Sequence, residues 1–307
     1  MPSAVRARAR ALPGYPGPRH WRQVPVTGQH YVDVGAGDPV LLLHGNPSWS
    51  YLWRGLLGTL SPDFRCVAPD LPGLGLSPRC PEPLRSVDRL ERHLACLDQL
   101  VDRIAAGQER PARRWTLVVH DWGGLIGLAW TLRHPQKVGR LVVLNSVAFP
   151  WPAGHRLPAH LRWIRGSAPV AALALATNAF PRAALRRGVV RRLGAAERMA
   201  YLLPFADAHH RRTAVELVRN LPRDAHDPVW RLLVGLEDLD ADRGLAGLPV
   251  FIGWGMRDAL FTPTVLDEWI RRFPQARVRR YRDAGHLVME DAAGELDRHV
   301  RDFLLGT

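Results

Sequence analysis

Six strand-like runs alternate with longer stretches of helical spacing, and this rhythm limits the chain more than any other feature. The runs are PVLLLHG (39–45), DFRCVAPD (63–70), WTLVVHD (115–121), RLVVLNS (140–146), LPVFIGWG (248–255) and ARVRRYRDAG (276–285). Between the second and third, Val87, Leu90, Leu94, Leu97, Val101 and Ile104 recur at helical spacing, with Ser86 placed as a cap. Short buried strands separated by amphipathic helices predict an α/β fold with a mostly parallel, doubly wound sheet.

The rhythm breaks between about Ala148 and Trp230, a stretch rich in Ala, Arg, Leu and Pro without a convincing strand. It reads as an inserted helical cap. The expected organisation is therefore a core of residues 21–147 and 231–307, a cap of residues 148–230, and a basic, flexible tail over residues 1–20. A length of 307 residues suits one large domain with such an insertion.

Composition narrows the functional classes. The formal charge of +13 would suggest an anionic partner, but Lys137 is the only lysine and the arginines are spread along the chain. Nucleic-acid binding is not expected. Cys66, Cys80 and Cys96 lack metal-finger spacing and are odd in number, so neither a disulfide framework nor a metal site is indicated. His209 and His210 are adjacent and read as a solvated face. The N-terminus has no apolar signal core, and no run is long enough to span a bilayer, so a cytoplasmic location is expected.

The chemistry begins at HDWGG (120–124), where a strand gives way to two glycines and a helix. A side chain on such a turn is pushed out at the carboxyl edge of the sheet, and Gly123 and Gly124 supply the small neighbours the turn needs. Asp121 holds the exposed position; capping the helix is its plainer use. Other strand ends add to it. LLLHGNP places Gly45 and Asn46 after one strand, GWGMRD places Asp258 after another, and DAGHLVMED places His286 after the last. Ligand sites of open α/β sheets lie at such ends. The order Asp121, Asp258, His286 repeats the nucleophile, acid, histidine order of α/β-hydrolases. The loop after RLVVLNS, a second place for the acid, reads Asn145, Ser146, Val147, Ala148 and Phe149 and holds no carboxylate. Asp70 reads as holding a glycine-rich turn, and Glu290 and Asp291 as starting the last helix.

An aspartate at this corner points to attack on a saturated carbon, because it forms an ester that water can cleave, whereas serine would form an inert ether. Trp122 fits that reading, since an indole N–H donates without accepting and suits a halide or oxyanion leaving group. Core packing is its plainer role.

Through HGNPSWS, HDWGG, GMRD and DAGHLVMED the chain resembles the haloalkane dehalogenase family of α/β-hydrolases over nearly its whole length. The resemblance implies Asp121 as nucleophile, His286 as base and Asp258 as its partner. It assigns Asn46 and Trp122 to the leaving group, and their backbone N–H groups to the oxyanion hole. It implies no cofactor and no metal. LPGYP, HGNPSWSYLWR, NSVAFPWP, TNAF, FPQARV and DAGHLVMEDA carry a narrower likeness, to the β-lactone decarboxylases of bacterial long-chain olefin biosynthesis. That likeness implies a hydrophobic small-molecule substrate, a cis-3-alkyl-4-alkyl β-lactone yielding a cis-alkene and carbon dioxide. It also implies association with other enzymes of an olefin pathway. The cap is richer in Ala and Arg than such relatives lead one to expect, and DLPGLGLS replaces their DHIGMGLS style of turn.

Haloalkane dehalogenation is the alternative. An epoxide hydrolase would want two cap tyrosines, and only Tyr201 lies in the cap; a fluoroacetate dehalogenase would prefer Asp-Arg at the elbow. A noncatalytic binding protein on the same scaffold is the reading from another class.

Overall fold

A computed structural model describes residues 3–78, 86–106, 114–222, 226–233 and 247–307. Cys80 and the side chain of Ser86 lie outside the described residues. The strands are β1 (Trp21–Gln23), β2 (His30–Val34), β3 (Asp38–Leu43), β4 (Phe64–Pro69), β5 (Trp115–Asp121), β6 (Val138–Ser146), β7 (Val250–Gly255) and β8 (Arg277–Tyr281). They form one sheet in the order β1-β2-β4-β3-β5-β6-β7-β8. The two pairings made by β2 are antiparallel and the rest parallel. The order reverses between β3 and β5, so the chain ends that follow these two strands flank the crevice where open α/β sheets hold ligands.

Strand alternation divides the core in two. Leu41, Leu43, Leu117, Val119, Val143 and Ile252 face one side. They meet α3 (Ser86–Ala105), α4 (Trp122–Arg133) and α10 (Pro263–Arg272) there. Val40, Leu42, Val118, Val142 and Phe251 face the other side, with α1 (Ser3–Ala9), α2 (Arg54–Leu60) and α12 (Glu295–Leu305). Both faces are covered, which is why the central strands read as continuous apolar runs.

Between β6 and β7 lie α5 (Ala159–Gly166), α6 (Ala168–Ala176), α7 (Ala179–Gly188), α8 (Ala195–Leu202) and α9 (Ala208–Arg219), with no strand among the described residues of that stretch.

Three expectations are corrected. The N-terminal segment is not a loose tail: Val5, Ala9 and Leu12, spaced i, i+4 and i+7, are buried together with Tyr15, while most of its arginines point outward. His210 is buried rather than solvated. Glu290 and Asp291 belong to a separate short helix, α11 (Val288–Asp291), ahead of α12. Asp70 does hold its turn, accepting hydrogen bonds from the N–H groups of Leu76 and Ser50, each at 2.7 Å, beside His30 Nδ1 at 2.8 Å.

Candidate active site

Asp121 ends β5 with φ 52° and ψ −124°, a backbone conformation unusual for a residue other than glycine. The turn is that sharp because the following residues lie against the sheet. A Cβ on Gly123 would come within 2.0 Å of the Leu43 carbonyl oxygen, and one on Gly124 within 1.9 Å of Ser146 Oγ. Ser146 also donates to the Asp121 carbonyl at 2.6 Å, fastening the elbow to β6.

The carboxylate is buried and asymmetrically held. Asn46 N–H, just after β3, donates to Oδ1 at 2.6 Å, while Oδ2 faces His286 Nε2 at 3.7 Å. Burial pushes the Asp121 pKa up, and His286 together with the N–H groups of Asn46 and Trp122 only partly reverses this.

His286 lies in the loop between β8 and α11, with Nδ1 2.9 Å from Asp258 Oδ2. Burial would lower its pKa, but the Asp258 charge and hydrogen bond, then the Asp121 charge, turn the balance upward. Asp258 follows β7. Burial would raise its carboxyl, yet His286 and the N–H groups of Leu260 and Phe261 hold it below the ordinary carboxylate value.

Two site residues were not singled out by motif. Asn145, with φ 35° at the end of β6, donates from Nδ2 to Asp258 Oδ2 at 2.9 Å and accepts from Gly255 N–H at 2.8 Å. The strand end that lacks a carboxylate thus supplies the amide that orients the carboxylate of the next strand. His120, beside the elbow, lies with Nε2 3.0 Å from the His286 carbonyl oxygen and so donates to it. Burial, then the His286 charge, drives its pKa well down, so it is a neutral ring that fixes the loop.

Asn46 and Trp122 both line a cavity of about 90 Å³ above Asp121 and His286, walled by Leu161, Phe180, Leu185, Val218, Leu221 and Leu287. The Asn46 side chain spends one N–H on the Ala214 carbonyl of α9 at 2.9 Å, tying core to cap. A smaller hollow of about 20 Å³ lies along the same Asp121 and Trp122, bounded by Leu125, Val147, Trp151 and Phe261. Tyr201 does not line either space; it donates to Glu290, which removes the one cap tyrosine an epoxide-opening acid would need. Among the described residues no group of three or more His, Cys, Asp or Glu is placed to hold a metal ion.

A family model described as alpha/beta hydrolase fold matches residues 38–293. The chain is 37% identical to the cis-3-alkyl-4-alkyloxetan-2-one decarboxylase of Xanthomonas campestris, over 94% of this chain and 98% of that protein. It is 31% identical to haloalkane dehalogenase 2 of Mycobacterium bovis, over 86% of each. The solved haloalkane dehalogenase of Bradyrhizobium elkani superposes with a TM-score of 0.77 at 28% identity, covering 94% of this chain and 97% of that one.

Proposed function

The chain belongs to the alpha/beta hydrolase family, and from that premise we propose that it decarboxylates a cis-3,4-dialkyl β-lactone, with Asp121 as the nucleophile. The carrying observation is a buried, backbone-held aspartate that presents Oδ2 to His286 on the floor of an apolar cavity. The greater similarity to an oxetanone decarboxylase than to a haloalkane dehalogenase supports the lactone. So do the two hollows that run from Asp121, because a β-lactone carries one alkyl arm on each ring carbon beside the carbonyl and the oxygen.

In the balanced sequence, Asp121 Oδ2 attacks the sp³ carbon bonded to the ring oxygen. The carbon–oxygen bond breaks, an ester to Asp121 forms, and the ring oxygen departs as part of a carboxylate. Trp122 and Asn46 line the same cavity, so the indole N–H and the second Asn46 amide N–H are the donors this reading assigns to that carboxylate. Loss of carbon dioxide then sends the electron pair of the broken carbon–carbon bond into the new double bond and expels the Asp121 carboxylate. Inversion followed by anti elimination converts a cis lactone to a cis alkene. His286, its pKa raised by two carboxylates, favours the returning Asp121 anion.

Haloalkane hydrolysis is the second reading, favoured by the same elbow. There His286 must act as base on water. Esterification removes the Asp121 charge that helps raise its pKa, so more of the ring is neutral and free to accept a proton from water at that step.

Incubation with a cis-dialkyl β-lactone and, separately, with 1,2-dibromoethane tests both. Alkene without bromide is the expected outcome, abolished in Asp121→Ala. Asp121-dependent bromide without alkene would replace the lactone by the haloalkane, and turnover that survives Asp121→Ala would overturn the nucleophile.

A further inference from the structure

Charge on the cap differs from charge on the rest of the molecule. Residues 148–222 carry twelve arginines but only three carboxylates, Glu197, Asp207 and Glu216. That is +9 of the chain's +13, leaving +4 for the other 232 residues. Arginine is only slightly denser here than elsewhere, 12 of 75 residues against 29 of 232, while acid is scarce, 3 of 75 against 26 of 232.

The same surface exposes large apolar groups. Trp163 on α5 is 64% exposed and Leu173 on α6 is 62% exposed. Helix α6 reads APVAALALA and buries only Ala171 and Ala174 fully, so the rest of an entirely apolar helix is half-buried or faces outward. This helix packs against α5.

Arg187 and Trp163 bring both features to the way into the cavity. His160 and Arg187 line it, and Arg187 is exposed, which marks the mouth between α5 and α7. Trp163 stands three residues from His160, just under one helical turn, and so on the same side of α5. Arg162, Arg182 and Arg186 on these two helices are exposed as well.

We propose that this face of the cap docks the protein on an anionic lipid surface, with the cavity mouth against the bilayer. Indole and aliphatic side chains enter the interfacial layer while arginines meet the headgroups, the pairing that peripheral membrane proteins use. A second copy is a poor occupant, because a two-fold contact would set the exposed Arg162, Arg182, Arg186 and Arg187 against the same four cations. The inference rests on the lactone reading for its purpose: dialkyl substrates partition into lipid, and alkyl arms longer than the cavity leave through this mouth. No helix among the described residues is long and apolar enough to cross a membrane, so attachment is peripheral.

Co-sedimentation with vesicles of equal phosphatidylglycerol and phosphatidylcholine, and with phosphatidylcholine alone, tests it. The full chain should pellet with the anionic vesicles at low salt and be released at high salt. Combined Arg162→Gln, Arg182→Gln and Arg186→Gln should weaken binding on the order of a hundredfold, and Trp163→Ser with Leu173→Ser should weaken it too. None of these residues lines the cavity, so turnover of a water-soluble short-chain β-lactone should persist in every variant. That turnover reports the catalytic reading separately and shows that the variants are folded. Wild-type protein left in the supernatant with both vesicles would overturn the proposal and give the face to an acidic protein. Anionic binding that is unchanged in the arginine variant would overturn it equally.

Discussion

At Asp121 one physical fact bears on both the proposed chemistry and stability. Burial raises the carboxyl pKa, yet the proposed attack requires the anion. The acidic limb of the kcat/KM profile should therefore lie above the ordinary carboxylate range, with activity falling as pH drops through the raised value. For an acid whose folded pKa exceeds its unfolded pKa, the folded state binds more protons, so stability declines as pH rises through that window and the cost persists at neutral pH. Asp121→Asn removes this cost and keeps an acceptor for the Asn46 N–H. It should lose turnover on the order of 10⁴-fold or more while its Tm rises at neutral pH; a lower Tm would contradict the electrostatic account. Asp121, Asp258, His286, Asn46 and Trp122 are legible as candidates because each stands in a short motif at a strand end. His120 and Asn145 are not, since their partners are 166 and 113 residues away and the contacts exist only after the sheet assembles.

The same distinction holds for elements. The central strands are legible because burial on both faces makes them apolar throughout, whereas β1 is three residues long and owes its state to pairing with β2. Helix α11 is the instructive case, since its acidic residues resemble a helix start and act instead as a fastening. Asp291 accepts from Gly285 N–H, next to His286, and from the N–H groups of Val190 and Arg191 beyond α7. Glu290, fully buried, accepts from Arg54 on α2 at 2.9 Å, from Arg191 at 2.6 Å and from the Tyr201 hydroxyl on α8. Asp291 thus ties the histidine loop to the cap, and Glu290, its neighbour, ties α11 to the core and the cap. Glu290→Gln leaves Arg54 and Arg191 with Glu197 as their remaining countercharge, so the cost is that of a weakened charged hydrogen bond, about 1–3 kcal/mol, rather than that of a fully broken buried pair. Chemical denaturation should show a loss of that size. Looser tethering of the loop should lower kcat more than it raises KM, and an unchanged kcat would show that the network serves stability alone.

Across the whole molecule, the N-terminal segment, the core and the cap meet in an aromatic cluster that no single stretch of sequence announces. The Tyr15 ring lies 5.0 Å from Trp49, 5.9 Å from Tyr51 and 6.0 Å from Trp21, and its hydroxyl is 2.7 Å from Ser50 Oγ. The cluster continues into the cap, because Trp49 donates to the Ala200 carbonyl at 3.2 Å and Tyr51 meets Tyr201 edge to face at 5.2 Å. Arginines around the N-terminal apolar residues disguise the segment as a tail; partners distant in sequence, Trp21 and residues 49–51, explain why it is ordered. Tyr15→Ala should therefore cost what a buried aromatic truncation costs, about 3–5 kcal/mol, and appear as a Tm lowered by several degrees. A loose tail would show no such loss. Because Tyr51 is shared with the cap, limited proteolysis of the variant should cut both before residue 20 and within residues 195–202, and cleavage confined to the first site would mean that the cap is held independently of the N-terminal segment.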